Sequence, residues 1–332
     1  ATEHIPQMIA QIEQLLERGP AYQVGAEVYY SVESFRDYGK LSGNTSEELL
    51  AGARVEVRDV KRDPRDFALW KHDPHHLMQW DSPWGRGFPG WHIECSAMSR
   101  QYLGETFDIH TGGEDNIFPH HECEIAQAEG ASGTTFSRYW MHARHLQVDG
   151  GKMSKSLGNV YTVPQLVALG HSAEAIRFQL VKSQYRTRFN FTREGLTEAD
   201  GSIRRLRLLE DELSERADGA DAGPPPSWVT AAVQRFEQSL DDDLNMSGAL
   251  DGVFTLLNEA HRLAPTGAVA ASALAALRRF DQVLDVLDVT GAADDDAEIE
   301  ALVTARGRAR SDKDWATADR LRDELAERGV EL

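Results

Sequence analysis

Cysteine is scarce in this chain of 332 residues, where Cys95 and Cys123 are the only two. Two thiols cannot build the disulfide framework that staples small secreted domains. No apolar run is long enough to span a bilayer and no signal peptide is present, so no membrane partner is expected and the setting reads as cytoplasmic. Basic residues are also in deficit: 35 Lys and Arg against 54 Asp and Glu leave a net charge of −19. That balance excludes a uniformly positive surface for coating nucleic acid. The deficit is uneven, however. Residues 152–193 hold seven basic side chains (Lys152, Lys155, Arg177, Lys182, Arg186, Arg188 and Arg193) against the single acid Glu174, whereas 201–332 hold 15 basic and 27 acidic residues, a net of −12. Positive potential is therefore expected just after residue 152, and the length allows two to three domains.

The start of that basic stretch reads Lys152-Met153-Ser154-Lys155-Ser156, followed by Leu157, Gly158 and Asn159. Two ammonium groups three residues apart, separated by small hydroxyls, suit a mobile clamp on a polyphosphate. Lys152 and Lys155 can stabilise negative charge that develops on phosphates, and Ser154, Ser156 and backbone N–H groups add donors. Gly150, Gly151 and Gly158 give the loop backbone freedom to open and close.

A second cluster lies upstream. Trp91-His92-Ile93-Glu94-Cys95 follows a Phe-Pro-Gly turn, and 103–109 reads as a strand approach. His110 to Asp115 come next, and then a helix start over Phe118-Pro119-His120-His121-Glu122-Cys123-Glu124, with Pro119 in its first turn. His120 and Glu124 are then i and i+4, one turn apart on one face. With Cys95 arriving from a separate loop, a thiolate, an imidazole and a carboxylate converge. They form a zinc-type ligand set with expected bonds of ~2.0–2.3 Å. Cys123 also stands within reach of the metal, while His121 and Glu122 are assigned to its surroundings or to the surface.

The clamp loop resembles the signature loop of class I aminoacyl-tRNA synthetases. Cys95, His120 and Glu124, with Trp91 four residues before the cysteine, resemble the zinc site of cysteinyl-tRNA synthetases. The resemblance runs through 53–70, 83–99, 107–127, 138–159 and 313–329. It implies ATP-dependent activation of cysteine to an adenylate, with Mg2+ accompanying ATP, and transfer to tRNA(Cys) by a monomer. It also implies Zn2+ on Cys95, His120 and Glu124, action on ATP by Lys155 with Lys152, Trp91 lining the cysteine pocket, and His110 and Asp115 facing the amino-acid head group. In such a family the metal binds the substrate thiolate, which discriminates against serine because a hydroxyl barely offers that bond. Thr111 and Glu114 depart from the small residues expected beside His110 and Asp115. The family's further cysteine ligand and its His-Ile-Gly-His motif are absent, so the chain reads as a fragment open at both ends and inactive by itself. Two other readings share some of these features: a mycothiol-pathway cysteine ligase, which lacks the long helical C-terminal region, and a non-catalytic RNA-binding module.

The expected fold is α/β plus all-α, the second half of a class I Rossmann-type parallel sheet followed by an α-helical bundle. The segments are a connective-region helix in 1–20, a connective insertion with short strands in 21–88, and the second catalytic half with metal site and clamp loop in 89–160. A stem-contact region follows in 161–216, a helical bundle on the tRNA side in 227–290, and an anticodon-binding region in 291–332. Helices are expected over 5–18 (stopped by Gly19), 164–183, 227–240, 247–263, 270–287, 296–310 and 313–328, the last capped by Gly329. Strands are expected over 26–32 and 53–60, joined through the Gly43-Asn44 turn. A linker is expected at 217–226. The acids 241–243 belong to a helix-connecting turn as N-cap candidates rather than to a calcium loop.

Overall fold

The computed structural model describes residues 1–44, 60–287 and 314–327, with 302, 305, 306 and 309 besides. The chain divides into two compact units, 1–145 with 185–188, and 146–184 with 189–332. The 89–160 segment expected to act as one block is divided by this boundary: the candidate metal ligands lie in the first unit and the clamp loop in the second. The strand expected at 53–60, apart from Val60, and the Gly329 cap lie outside the described residues, as does most of the helix expected at 296–310.

The first unit opens on α1 (Ile5–Arg18), which has the expected bounds and ends on Gly19 at φ 100°, whose N–H returns to the Leu15 carbonyl. Ile5, Met8, Ile12 and Leu15 are buried on one stripe. They pack against an antiparallel sheet of β1 (Ala21–Val24), β2 (Glu27–Tyr30), β3 (Phe67–Lys71) and β4 (Phe88–Pro89). β2 is shorter than expected and pairs with β1 and β3, not through a 43–44 turn. The reason is local, since Gly25 at φ 59° makes the tight turn between β1 and β2. The second layer is a β-α-β unit: β5 (Phe107–Gly113), α3 (Glu122–Ser132) and β6 (Ser137–Ala143), with β5 and β6 parallel from Phe107↔Ser137 to Gly113↔Ala143. α2 (Trp91–Leu103) precedes it and packs with α1 and α3.

Cys95 therefore rides a helix rather than the expected loop, because Gly90 starts α2 immediately after β4. Gly90 makes this junction possible: a Cβ there would overlap the carbonyl oxygen of Ala68 in β3. The helix start expected at Phe118 is also displaced. Phe118 is extended (φ −138°, ψ 133°), a wide turn covers Ile117–His121, and the α-helix proper begins at Glu122.

In the second unit, β7 (Gln147–Val148) pairs antiparallel with β8 (Gly151–Lys152) and parallel with β9 (Asn190–Phe191). The single helix expected over 164–183 is two, α4 (Val163–Ala168) and α5 (Ala173–Val181). Gly170 at φ 91° breaks it, and Ser172 restarts it by accepting the Ala175 N–H at 3.1 Å. A long α6 (Arg193–Ala217), absent from the expected list, occupies much of the stem-contact region. α7 (Ser227–Asp241), α8 (Met246–Leu263) and α9 (Gly267–Leu284) complete the bundle around Leu206, Leu213, Phe236, Leu256 and Phe280, and α10 (Trp315–Glu327) follows. The acidic turn after α7 is a connector, as expected, but its cap is Asn245, which accepts from Gly248 N–H at 3.0 Å.

Two glycines give opposite expectations. Gly90→Ala should destabilise the chain by about 1–3 kcal/mol, since its Cβ meets backbone that cannot rotate away. Gly201→Ala, inside α6 with open space around it, should stabilise by about 0.5–1 kcal/mol. Urea unfolding of both variants checks the pair; a stabilised Gly90→Ala would refute the close approach of α2 to β3.

Candidate active site

Cys95 projects from the first turns of α2, His120 from the turn that leads into α3, and Glu124 from the start of α3. The Cys95 Sγ, a His120 ring nitrogen and a Glu124 oxygen all lie within 4.8 Å of one another. The i,i+4 relation holds despite the displaced helix start, with His120 Nε2 2.7 Å from Glu124 Oε1. His110, from the middle of β5, approaches the other oxygen, its Nε2 lying 3.4 Å from Oε2. Glu124 is fully buried, yet neither carboxylate oxygen has an aligned hydrogen-bond partner. A carboxylate removed from water with both oxygens unsatisfied is costly unless it is protonated or bound by a cation. A soft thiol, an imidazole and this carboxylate fit a borderline divalent ion such as zinc.

Burial governs the titration of the cluster. It raises the Glu124 carboxyl against the opposing influence of the His120 imidazole close by. Burial, with Glu124 and Glu94 nearby, pushes the Cys95 thiol up to about 11. His110 is lowered to about 4 and His121 to about 3, first by burial and then by neighbouring imidazoles. A cation would reverse this logic at the thiol, since a coordinated thiol is deprotonated outright.

Several neighbours were not assigned from sequence. His92, three residues before Cys95 on α2, places its Nδ1 2.7 Å from the His120 Nδ1. The ring nitrogen of His120 that faces away from Glu124 is thereby held, which fixes the ring as an outer partner does for a metal-bound imidazole. Their shared helical face is the signal that would have found it. His121 and Glu122, assigned to the surroundings or the surface, are both buried. His121 forms with His110 and Glu124 a second possible ligand group, and its Nδ1 meets His142 Nε2 at 2.8 Å. Glu122 accepts the N–H groups of Leu41 and Ser42, the latter at 2.9 Å. Cys123 does not join the ligands: its Sγ is 3.2 Å from Tyr38 Oη, and neither ligand group includes it.

Trp91 stacks on His120 at 4.1 Å between ring centroids. It also borders a cavity of about 390 Å³ lined by Ile5, Met8, Met78, Trp80, Phe88 and Glu94 among others. Asp115 stands outside the ligand cluster in a short turn, largely exposed, with His145 Nε2 3.7 Å from its carboxylate.

In the second unit, Lys152 closes β8 and is exposed. Lys155 opens a helical turn over Lys155–Leu157, and its side chain lies outside the described residues. Asn159 clips the loop, its Oδ1 accepting from Ser154 N–H at 2.9 Å and its Nδ2 donating to the Lys152 carbonyl at 3.0 Å. Asp149, Gly150 and Gly158 take positive φ at the two ends of this segment.

Residues 1–201 match the family profile of the class I (C) tRNA synthetase catalytic domain, and 293–331 match that of the cysteinyl-tRNA ligase anticodon binding domain. The cysteine–tRNA ligase of Alkalilimnicola ehrlichii is 48% identical over 348 residues, covering 100% of this chain and 73% of that protein. That of Ectopseudomonas mendocina is 46% identical over 343 residues, covering 100% and 72%. This chain belongs to the cysteine–tRNA ligase family. A cysteine–tRNA ligase is an ATP-using enzyme whose substrates are cysteine and tRNA. Among solved structures, the methionyl-tRNA synthetase of Mycobacterium tuberculosis in complex with methionyl-adenylate aligns with a TM-score of 0.59 at 13% identity, covering 86% of this chain and 72% of that one. That likeness shows the shared class I fold.

The ligase's buried imidazoles set a pH dependence. His92, lowered to about 3 by burial and by His120, and likewise His110 and His121, stay neutral in the fold but titrate near 6.5 when unfolded. The unfolded state therefore binds more protons below that pH, and stability falls as pH drops from about 6.5 toward 4. Glu124, raised, acts in the opposite sense: its contribution is present below 4.5 and lost as pH rises through its folded value. Three imidazoles outweigh one carboxyl across that window. Thermal melts of the metal-free chain from pH 7 to pH 5 should show a falling Tm, with a shallower fall in His121→Gln. Equal slopes for both proteins would contradict the burial of His121 as a neutral base.

Proposed function

We propose that Cys95, His120 and Glu124 of this ligase hold a zinc ion that receives the substrate cysteine. The observation that carries the proposal is the buried, unsatisfied Glu124 carboxylate, brought within reach of a thiol and an imidazole inside the matched catalytic domain. The bound ion would supply a soft Lewis acid for the substrate sulfur. His110, 3.4 Å from Glu124, is the neutral imidazole nearest the set and shares the carboxylate with it. Trp91 closes the site on one side by its stack on His120 and offers an apolar wall on the other. Asp115, exposed beyond the cluster, is suited to a cationic amino group rather than to the metal.

Lys152 and Lys155 are proposed to act on the phosphates of ATP, with Mg2+ accompanying the nucleotide. The support is the loop's construction: the Ser154 hydroxyl between the two lysines, that of Ser156 just after them, and backbone N–H groups, clipped by Asn159 and bounded by residues at positive φ. Such a loop can present fixed donors and still move as one piece. The family profile at 293–331 favours a tRNA acceptor over an amino-sugar acceptor, which would leave an anticodon-binding region without a role. A cytoplasmic setting accords with two free thiols, which suit a reducing compartment.

Two measurements test these roles separately. Cys95→Ala and Glu124→Ala should each lose stoichiometric zinc by metal analysis, and full retention in both would overturn the ligand assignment. In a full-length or reconstituted enzyme, Lys155→Ala should lower cysteine-dependent ATP–pyrophosphate exchange by about 10²-fold or more while leaving zinc content unchanged. Undiminished exchange would show that the loop does not act on ATP.

A further inference from the structure

Behind the candidate metal ligands lies a second buried polar group that the proposed chemistry does not use. Gln11 of α1, Ser96 of α2 and Gln127 of α3 are all buried, at 3%, 0% and 0% exposure. Gln11 Nε2 donates to Ser96 Oγ at 3.1 Å, and Ser96 Oγ donates to Gln127 Oε1 at 2.8 Å. Three helices thus meet at one hydroxyl. The far ends of the two amides, Gln11 Oε1 and Gln127 Nε2, have no partner. Reversing both amides would reverse the direction of the chain and still leave Ser96 Oγ as the shared atom.

A core of ordinary purpose would place apolar side chains here, because a partly satisfied buried network is poorer than close apolar packing. Hydrogen bonds provide something that apolar contact does not, namely a fixed rotation and register of each helix. Ser96 is the residue after Cys95, and Gln127 lies three residues after Glu124 and seven after His120, on the same side of α3. α2 supplies one ligand, and α3 with the turn that leads directly into it supplies the other two, so any slide between these helices changes the separation of Sγ from the imidazole and carboxylate. Metal sites tolerate ligand displacements of only about 0.2 Å.

We infer that the Gln11–Ser96–Gln127 chain is a positioning device that sets the register of α2 against α3, and through it the geometry of the Cys95–His120–Glu124 metal site. The inference rests on the reading of those three residues as metal ligands. Its three members are positioning residues, since none touches substrate or metal.

The experiment compares the chain with Ser96→Ala and with an apolar triple variant, Gln11→Leu/Ser96→Ala/Gln127→Leu. Zinc affinity is measured by chelator competition, and the visible ligand-field spectrum after cobalt substitution reports the coordination geometry. Ser96→Ala should weaken zinc binding by about 10–100-fold, the range seen when outer partners of metal ligands are removed. It should also alter the cobalt bands. The triple variant, which leaves no orphaned amide, should keep or raise the Tm while retaining the metal defect. That combination separates loss of register from loss of stability. Cys95→Ala serves as the control. If it loses zinc while the triple variant binds zinc and cobalt as the unaltered chain does, the positioning role is refuted and the ligand assignment stands. If Cys95→Ala keeps full zinc and an unchanged cobalt spectrum, the ligand assignment fails and the positioning role falls with it.

Discussion

The burial of the Glu124 carboxylate is the constraint on which the first unit depends. A charge at that depth must be neutralised, paired or coordinated, and the surrounding side chains are arranged for all three. His120 and His110 approach its two oxygens without completing hydrogen bonds, and Cys95 lies across from them. Cys95, His110 and Glu124 are each pushed toward their neutral forms by burial. Its cost is borne by packing: α3 is buried on almost all sides, under α1, α2 and the sheet that holds Tyr30, whose hydroxyl donates to the Ala126 carbonyl at 2.8 Å.

That all-round burial also explains what could and could not be read from sequence. The pairing of His120 with Glu124 was legible because i,i+4 geometry survives a displaced helix start. The stop of α1 at Gly19 was legible because its apolar stripe ends there. α3 has no apolar stripe, since nearly every residue from Glu122 to Ala128 is buried. His121 and Glu122 were accordingly placed at the surface or in the surroundings by their polarity. α2 hides for a related reason. Only Ile93, Ser96 and Ala97 are buried along it, too few for a periodic signal, so Cys95 was expected on a loop. Register between helices is carried by Gln11, Ser96 and Gln127, which are far apart in sequence and carry no pattern of their own.

The clamp loop shows the opposite relation. Its five-residue signature was readable at once, but the feature that shapes it, Asn159 bonding back to Ser154 and Lys152, comes after the motif proper. A side-chain amide can both donate and accept, so one residue closes the entry of the loop without immobilising its tip. The two lysines gain a defined base, and the hydroxyls of Ser154 and Ser156 face each other at 2.7 Å on a turn that remains exposed. A motif read by residue type alone therefore misses the contacts that shape the loop.

Charge counting needs the same correction by structure. Arg177 was counted among the seven cations expected to face a nucleic acid. Its guanidinium instead donates to the carbonyls of Val283 and Leu284, while Arg207 from α6 donates to those of Val286 and Leu287. Two guanidiniums thus satisfy carbonyls that the end of α9 leaves unpaired, where positive charge also complements the helix dipole. Asp281 completes the junction by accepting the Val286 and Leu287 N–H groups at 2.9 and 3.1 Å. These contacts tie α5 and α6, which follow the clamp loop, to the residues that end α9 and come directly after it. At least one of the seven cations is thus committed to holding that joint. Bonding to neutral carbonyls leaves the charge of Arg177 in place, but the guanidinium donors it spends on Val283 and Leu284 are committed to the fold, a distinction that a count of cations in the sequence does not make.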